Sequence, residues 1–310
     1  MHFSSPEIPL TLSHLKSLSA EDVFYFFGRL LEGELRDRKE KGLDELSLKS
    51  YYTGFLTESG KSIPLAAFGY GQRFGPLIQE LQRSSDSLRL LDAGCGYGTE
   101  SILFSLLGAR VDGVELVLER TELARSRISF YQSLCSFPLN LKFFNANIFK
   151  FLQKSGPYDI IWAMEAVSHI YPPEEFFALA YDRTKKGGKL VISDPNRLNP
   201  LVWLREVKIR GSVRPGVHEQ FTDPETGAPV KYGQENRFSV FLLKKKLEKA
   251  GFKIQDVHMS GFLGSSFLPK KILMRRGPHS FLRAFQKAMK EVLLLNRLGS
   301  LYTIVAGKEK

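Results

Sequence analysis

The stretch LRLLDAGCGYGTES, Leu88 to Ser101, constrains the fold more than any other in the chain. An apolar run reaches Asp92, and glycines follow at positions 94, 96 and 98. Glycine has no Cβ, so the backbone can take positive φ and let a ligand come close. The run before Asp92 predicts a strand. ESILFSLLG after the glycines predicts a helix whose first N–H groups face the same point. Strand, bare turn and helix make a nucleotide-type site. A dinucleotide fingerprint, G-x-G-x-x-G, needs its third glycine at position 99, where Thr99 stands; the spacing is D-x-G-x-G-x-G instead.

The pattern continues beyond this turn. ARVDGVE, LKFFNAN, YDIIWAME and KLVISD read as strands, separated by the helical segments LERTELARSRISFYQSL, IFKFLQK and PEEFFALAYDRTK. Strands alternating with helices predict a parallel sheet covered on both faces. FKIQDVH and LYTIVAG add two strands, and SVFLLKKKLEKA a helix capped by Ser239 and stopped by Gly251. Ahead of the sheet, Ser19 with Asp22 three residues on predicts the start of another helix. QRFGPLIQELQRS predicts a helix leading into the first strand. Residues 1–75 are expected to form a helical extension that wraps or lids the α/β domain of residues 76–310. Insertions are expected at about 195–237, with a short helix and a polar loop, and at about 259–300.

The acidic residue followed by G-x-G-x-G in LDAGCGYG resembles the first motif of class I S-adenosylmethionine-dependent methyltransferases. Glu115 at the end of the second strand and the TKKGGKLVISD turn extend the resemblance over roughly residues 76–258. It implies a Rossmann-like α/β fold with a mostly parallel seven-stranded sheet, and S-adenosylmethionine as cofactor. It implies cofactor contacts from Asp92, Gly94, Cys95, Gly96, Glu115, Asn147 and Ile148. Glu115 would accept both ribose hydroxyls, Asn147 the adenine amino group, and Ile148 would pack on the adenine. The family commonly has an acidic residue where Asn147 stands, and an amide oxygen still accepts there. Asp92 would position the loop. After the fourth strand, MEAVSHIYPP places Glu165 and His169 toward cofactor and acceptor, and these are the catalytic candidates. Asn196 and His218 lie in a segment that could reach an acceptor.

The acceptor expected is a small molecule or a lipid. The Asn/Asp-Pro-Pro-aromatic motif of nucleobase amino methylation is absent after the fourth strand, and no Pro-Cys pair serves cytosine C5 chemistry. The net charge of +11 nonetheless keeps an RNA-directed enzyme open, and a non-catalytic module that binds the cofactor is the third reading. Between Pro269 and Lys290 lies a basic segment without an acidic residue. Phe281, Phe285 and Met289 share one helical face there, while Arg283 and Lys287 lie away from it. Such a helix suits an anionic membrane surface, or simply half-burial against the sheet. Two cysteines make no disulfide framework and the six histidines have no metal-ligand spacing, so no metal is expected. The start MHFSSPEIPLTL lacks a signal-peptide pattern, and no apolar run has membrane-span length. The expected location is cytoplasmic, with room for a peripheral membrane contact.

Overall fold

Seven strands form one sheet in a computed structural model that describes residues 9–43, 48, 63–200, 202–204, 216–234, 237–261, 281, 284–285, 288–289 and 299–309. The strands β1 (Arg89–Ala93), β2 (Arg110–Glu115), β3 (Leu141–Asn145), β4 (Tyr158–Met164) and β5 (Thr184–Pro195) pair in parallel. β9 (Leu301–Gly307) runs antiparallel between β5 and β8 (Lys253–Ser260). The order is β3-β2-β1-β4-β5-β9-β8. This is the mostly parallel sheet that the strand–helix alternation predicts, in the Rossmann-like arrangement that the resemblance implies.

Both faces are covered, which is why the central strands read as near-continuous apolar runs. One face buries α4 (Thr99–Leu106) and α5 (Leu118–Leu134), and the other buries α6 (Ile148–Lys154), α7 (Pro173–Arg183) and α8 (Val240–Lys249). The N-terminal helices α1 (Leu12–Ser17), α2 (Ala20–Glu40) and α3 (Ile63–Arg83) pack on the α4/α5 face. Ser19 caps α2, its hydroxyl accepting from the Asp22 amide. Phe74 of α3 lies 4.7 Å, ring centre to ring centre, from the fully buried Trp162 of β4, which also meets Phe104 of α4 at 5.7 Å. Each such aromatic pair adds about 0.5–1.5 kcal/mol beyond its area.

Two expectations need correction. The boundary between residues 75 and 76 falls inside α3, and the α2 and α3 side chains share one core with the sheet, so the extension is not a separable body. The polar loop of the 195–237 insertion is instead a hairpin, β6 (Gly216–Thr222) with β7 (Pro229–Gln234). Most of the basic segment 269–290 lies outside the described residues; within it Phe281 is exposed and its ring lies 6.2 Å from that of Phe285.

Candidate active site

The strand order reverses between β1 and β4, and a crevice opens outside the carboxyl ends of such strands. A cavity of about 320 Å³ occupies that place. Its wall brings together Gly94 and Gly96 from the turn after β1, Glu115 from the end of β2, Asn147 and Ile148 after β3, and Glu165 and His169 after β4.

The glycine turn takes the conformation its composition allows. Gly94, Gly96 and Gly98 have φ of 77°, 54° and 73°. A Cβ on Gly94 would stand 2.8 Å from the Ala166 Cβ, so the turn after β1 touches the turn after β4. Glu115 is nearly buried. Its Oε2 accepts the Gly96 amide at 3.0 Å and its Oε1 the Val117 amide at 3.0 Å, with the Arg120 guanidinium 3.8 Å away. Each oxygen retains a lone pair, so the carboxylate can take both hydroxyls of a vicinal diol. Beside it, Asn147 caps α6, its Oδ1 accepting the Phe149 amide at 3.0 Å, and keeps one lone pair. Ile148 and Phe149 add an apolar wall suited to a planar ring.

Asp92 and Cys95 do not line the cavity. The Asp92 carboxyl is buried and accepts from the Ser101 hydroxyl at 2.6 Å, so it ties the strand to the start of α4. Burial, reinforced by the Glu100 charge, pushes it up to about 8. The Cys95 side chain joins the core on the α4/α5 face, while its main chain accepts the Gly98 amide.

Glu165 and His169 are held differently. Glu165 has φ of 49°, an uncommon conformation for a side chain of its size that costs about 1–3 kcal/mol. Its carboxylate, half-exposed at the wall, accepts from Arg73 Nη1 of α3 at 2.7 Å. Nδ1 of His169 lies 2.9 Å from the Gly233 carbonyl oxygen. A carbonyl only accepts, so Nδ1 carries hydrogen and the basic lone pair of the neutral ring falls on Nε2. Tyr232 of the hairpin stacks on the imidazole at 4.7 Å and 11°. The hairpin thus closes one side of the cavity with Val230, Lys231 and Tyr232. Lys150 of α6 anchors its turn through Asp223 at 2.8 Å.

Asn196 is buried, its Nδ2 donating to the Gly299 carbonyl and its Oδ1 accepting the Leu198 amide. His218 is exposed on β6, and neither residue lines the cavity. Arg73, Tyr232 and Arg237 do belong to the site region, and the sequence reading passed over them. The turn residues of DPETG were the one signal for the hairpin; Arg73 left none.

The family model described as a methyltransferase domain matches residues 69–257. The mitochondrial ubiquinone biosynthesis O-methyltransferase of Rattus norvegicus is 30% identical over 144 residues, 44% of this chain and 41% of that enzyme. The ubiquinone biosynthesis O-methyltransferase of Caulobacter sp. (strain K31) is 27% identical over 146 residues, 45% of this chain and 56% of that one. The chain thus spans about half the length of these curated relatives. A solved SAM-dependent methyltransferase of Methanosarcina mazei shares the fold, with a TM-score of 0.50 at 16% identity over 76% of this chain and 98% of that one.

Proposed function

Because the chain belongs to the methyltransferase-domain family, we propose that it transfers the methyl group of S-adenosylmethionine to a hydroxyl of a small-molecule or lipid acceptor. The observation that carries this reading is the meeting of Gly94, Gly96 and Glu115 in one cavity, with Glu115 bonded to the Gly96 amide. The residues present fit the cofactor. Glu115 would take the ribose diol, Asn147 the adenine amino group, and Ile148 one face of the adenine. When bound, S-adenosylmethionine supplies an electrophilic methyl on a sulfonium.

The chain's own residues then orient and exclude water. His169 Nε2 is the base that accepts the acceptor's hydroxyl proton, with Nδ1 fixed by Gly233 O and the ring fixed by Tyr232. Glu165 supplies a carboxylate at the wall beside the cationic cofactor. The hairpin covers the acceptor side. Support for an O-linked, lipid-like acceptor comes from the name of the relatives, ubiquinone biosynthesis O-methyltransferase. The test supplies methyl-labelled S-adenosylmethionine and a cell extract, then separates lipid, small-molecule, RNA and protein fractions. Label in the lipid or small-molecule fraction is expected. Label confined to RNA or protein contradicts the acceptor class.

A peripheral contact with an anionic membrane is part of the same reading. Leu198, Trp203, Leu204, Phe241 and Leu242 are exposed. Their two segments meet where the Arg197 amide donates to the Phe238 carbonyl, next to the cavity residues Pro195 and Arg237. Exposed apolar side chains on a chain of net charge +11 suit contact with an anionic bilayer. Among the described residues no helix is long and apolar enough to cross a membrane. Co-sedimentation with anionic but not neutral vesicles, reversed by salt, is the expected result. Wild-type protein left in the supernatant at low salt rejects the contact.

A further inference from the structure

Two buried arginines connect the N-terminal helices to the two turns that face the cavity. Arg73 of α3 is 4% exposed. Its Nε donates to Ser193 Oγ at 2.6 Å, its Nη2 to the Ser193 carbonyl at 2.9 Å and its Nη1 to Glu165 Oε1 at 2.7 Å. The Ser193 carbonyl also accepts the Glu165 amide at 2.9 Å, so one carbonyl and one guanidinium grip both ends of the same residue. From behind, Thr303 Oγ1 of β9 donates to the Arg73 carbonyl at 2.8 Å. Glu165, in its left-handed conformation, is thereby fixed from the main chain and from the carboxylate together.

The second arginine serves the other turn. Arg127 of α5 meets Glu34 of α2 in a bidentate pair, Nε to Oε1 at 2.7 Å and Nη2 to Oε2 at 2.8 Å, with both side chains buried. Tyr131 donates to the same carboxylate at 2.7 Å. The remaining edge of Arg127 donates through Nη1 to the Tyr97 carbonyl at 2.7 Å and to Thr99 Oγ1 at 2.6 Å. Tyr97 and Thr99 flank Gly98, where the glycine turn becomes α4. The planar guanidinium suits this task, since its fixed fork sets direction as well as charge.

We propose that Arg73 and the Glu34–Arg127 pair are positioning residues for the cofactor site, and that the N-terminal helices hold both cavity-facing turns in register from behind. This rests on reading the cavity as the S-adenosylmethionine site. It assigns the extension a task other than that of a lid, and it makes a cofactor site assembled from three parts of the chain: α2 with α3, the turn after β1, and the turn after β4. A structural ion pair far from a ligand stabilises the fold alone. Arg73 ends on Glu165 of the cavity wall, and Arg127 ends on Tyr97 and Thr99, the residues that follow the wall residue Gly96 in the same turn.

The test is calorimetric titration of S-adenosylhomocysteine into the full chain, with the melting temperature of each variant recorded. Wild-type protein must bind; if it does not, the reading of the cavity fails and the positioning claim is not what has been contradicted. Given wild-type binding, Arg73→Gln and Glu34→Gln are expected to weaken affinity about tenfold or more, since a misplaced wall costs alignment at the ligand. Arg73→Lys, which keeps the buried charge but loses the fork, should fall between and serves if the Gln variant does not fold. In a Glu165→Ala background, where the Nη1 contact is already lost, Arg73→Gln should weaken affinity by a smaller factor than it does in wild type. Ile78→Ala, buried in the same helix, should lower the melting temperature comparably while changing affinity less than about twofold. Wild-type affinity in the Arg73 and Glu34 variants overturns the proposal. So does affinity that tracks melting temperature equally for Ile78→Ala.

Discussion

Glu115→Ala removes a carboxylate whose two oxygens hold the Gly96 and Val117 amides and face the cavity. Loss of a charged acceptor is worth about 1–3 kcal/mol, so S-adenosylhomocysteine affinity should fall by that amount in calorimetry; unchanged affinity would place the ribose elsewhere. Asp194 yields a prediction of a different kind. It is buried, and among the described residues neither carboxyl oxygen makes a hydrogen bond of ordinary geometry. Burial and the Glu165 charge push it up to about 8, against Arg73 and Arg237. Between the ordinary value of 3.8 and about 8 the native chain keeps a proton that the unfolded chain releases, so its contribution to stability falls as pH rises. Asp194→Asn mimics the protonated acid. Its gain in melting temperature over wild type should be near zero at pH 4, grow toward pH 8 and then level off. A gain independent of pH would contradict the assignment. At this scale the glycines and Glu115 were legible in the sequence, since their chemistry depends on neighbours within one strand–turn–helix. Cys95 was not: its place in the motif says nothing of which way the side chain points, and it points into the core.

Among the elements, α2 and α3 gain their place from apolar packing and two buried arginines. Breaking one partner of a buried pair costs about 3–5 kcal/mol, so Glu34→Ala should lower the unfolding free energy by that order in a denaturant titration. A loss under about 1 kcal/mol would mean that Arg127 finds another partner. On the proposed reading the hairpin β6–β7 covers the acceptor side, so Tyr232→Ala should raise the acceptor KM while leaving S-adenosylhomocysteine affinity within about twofold. Equal losses in both would place Tyr232 against the cofactor. The strands of the sheet were legible as apolar runs, and α2 from its Ser19 cap. The hairpin was not recognised, because GVHEQFT presents polar residues on both faces and lacks a clean apolar alternation. Neither was Arg73, whose partner Glu165 lies 92 positions away, nor the Glu34–Arg127 pair, 93 apart. Such contacts follow from the tertiary arrangement and leave no local pattern.

For the whole molecule, one sheet and two cores place the turns after β1, β2, β3 and β4 around a single crevice, with the N-terminal helices behind it. The topology was legible because each βα unit signals its own class and parallel connections admit few arrangements. The division of the chain was not, because α3 runs across the boundary expected between residues 75 and 76 and its side chains join the core under the sheet. On the proposed reading this crevice binds S-adenosylmethionine through its glycine turn. The most direct measurement is calorimetric titration of S-adenosylhomocysteine into the wild-type chain and into Gly96→Val, with NAD as the competing ligand. A branched side chain at a residue with φ of 54° in the cavity wall both strains the turn and fills the space a ligand needs. Wild-type binding in the micromolar range, about −8 kcal/mol, is expected, with none in Gly96→Val at a retained melting transition and none with NAD. Absence of S-adenosylhomocysteine binding to the folded wild-type chain, or binding of NAD in its place, would contradict it.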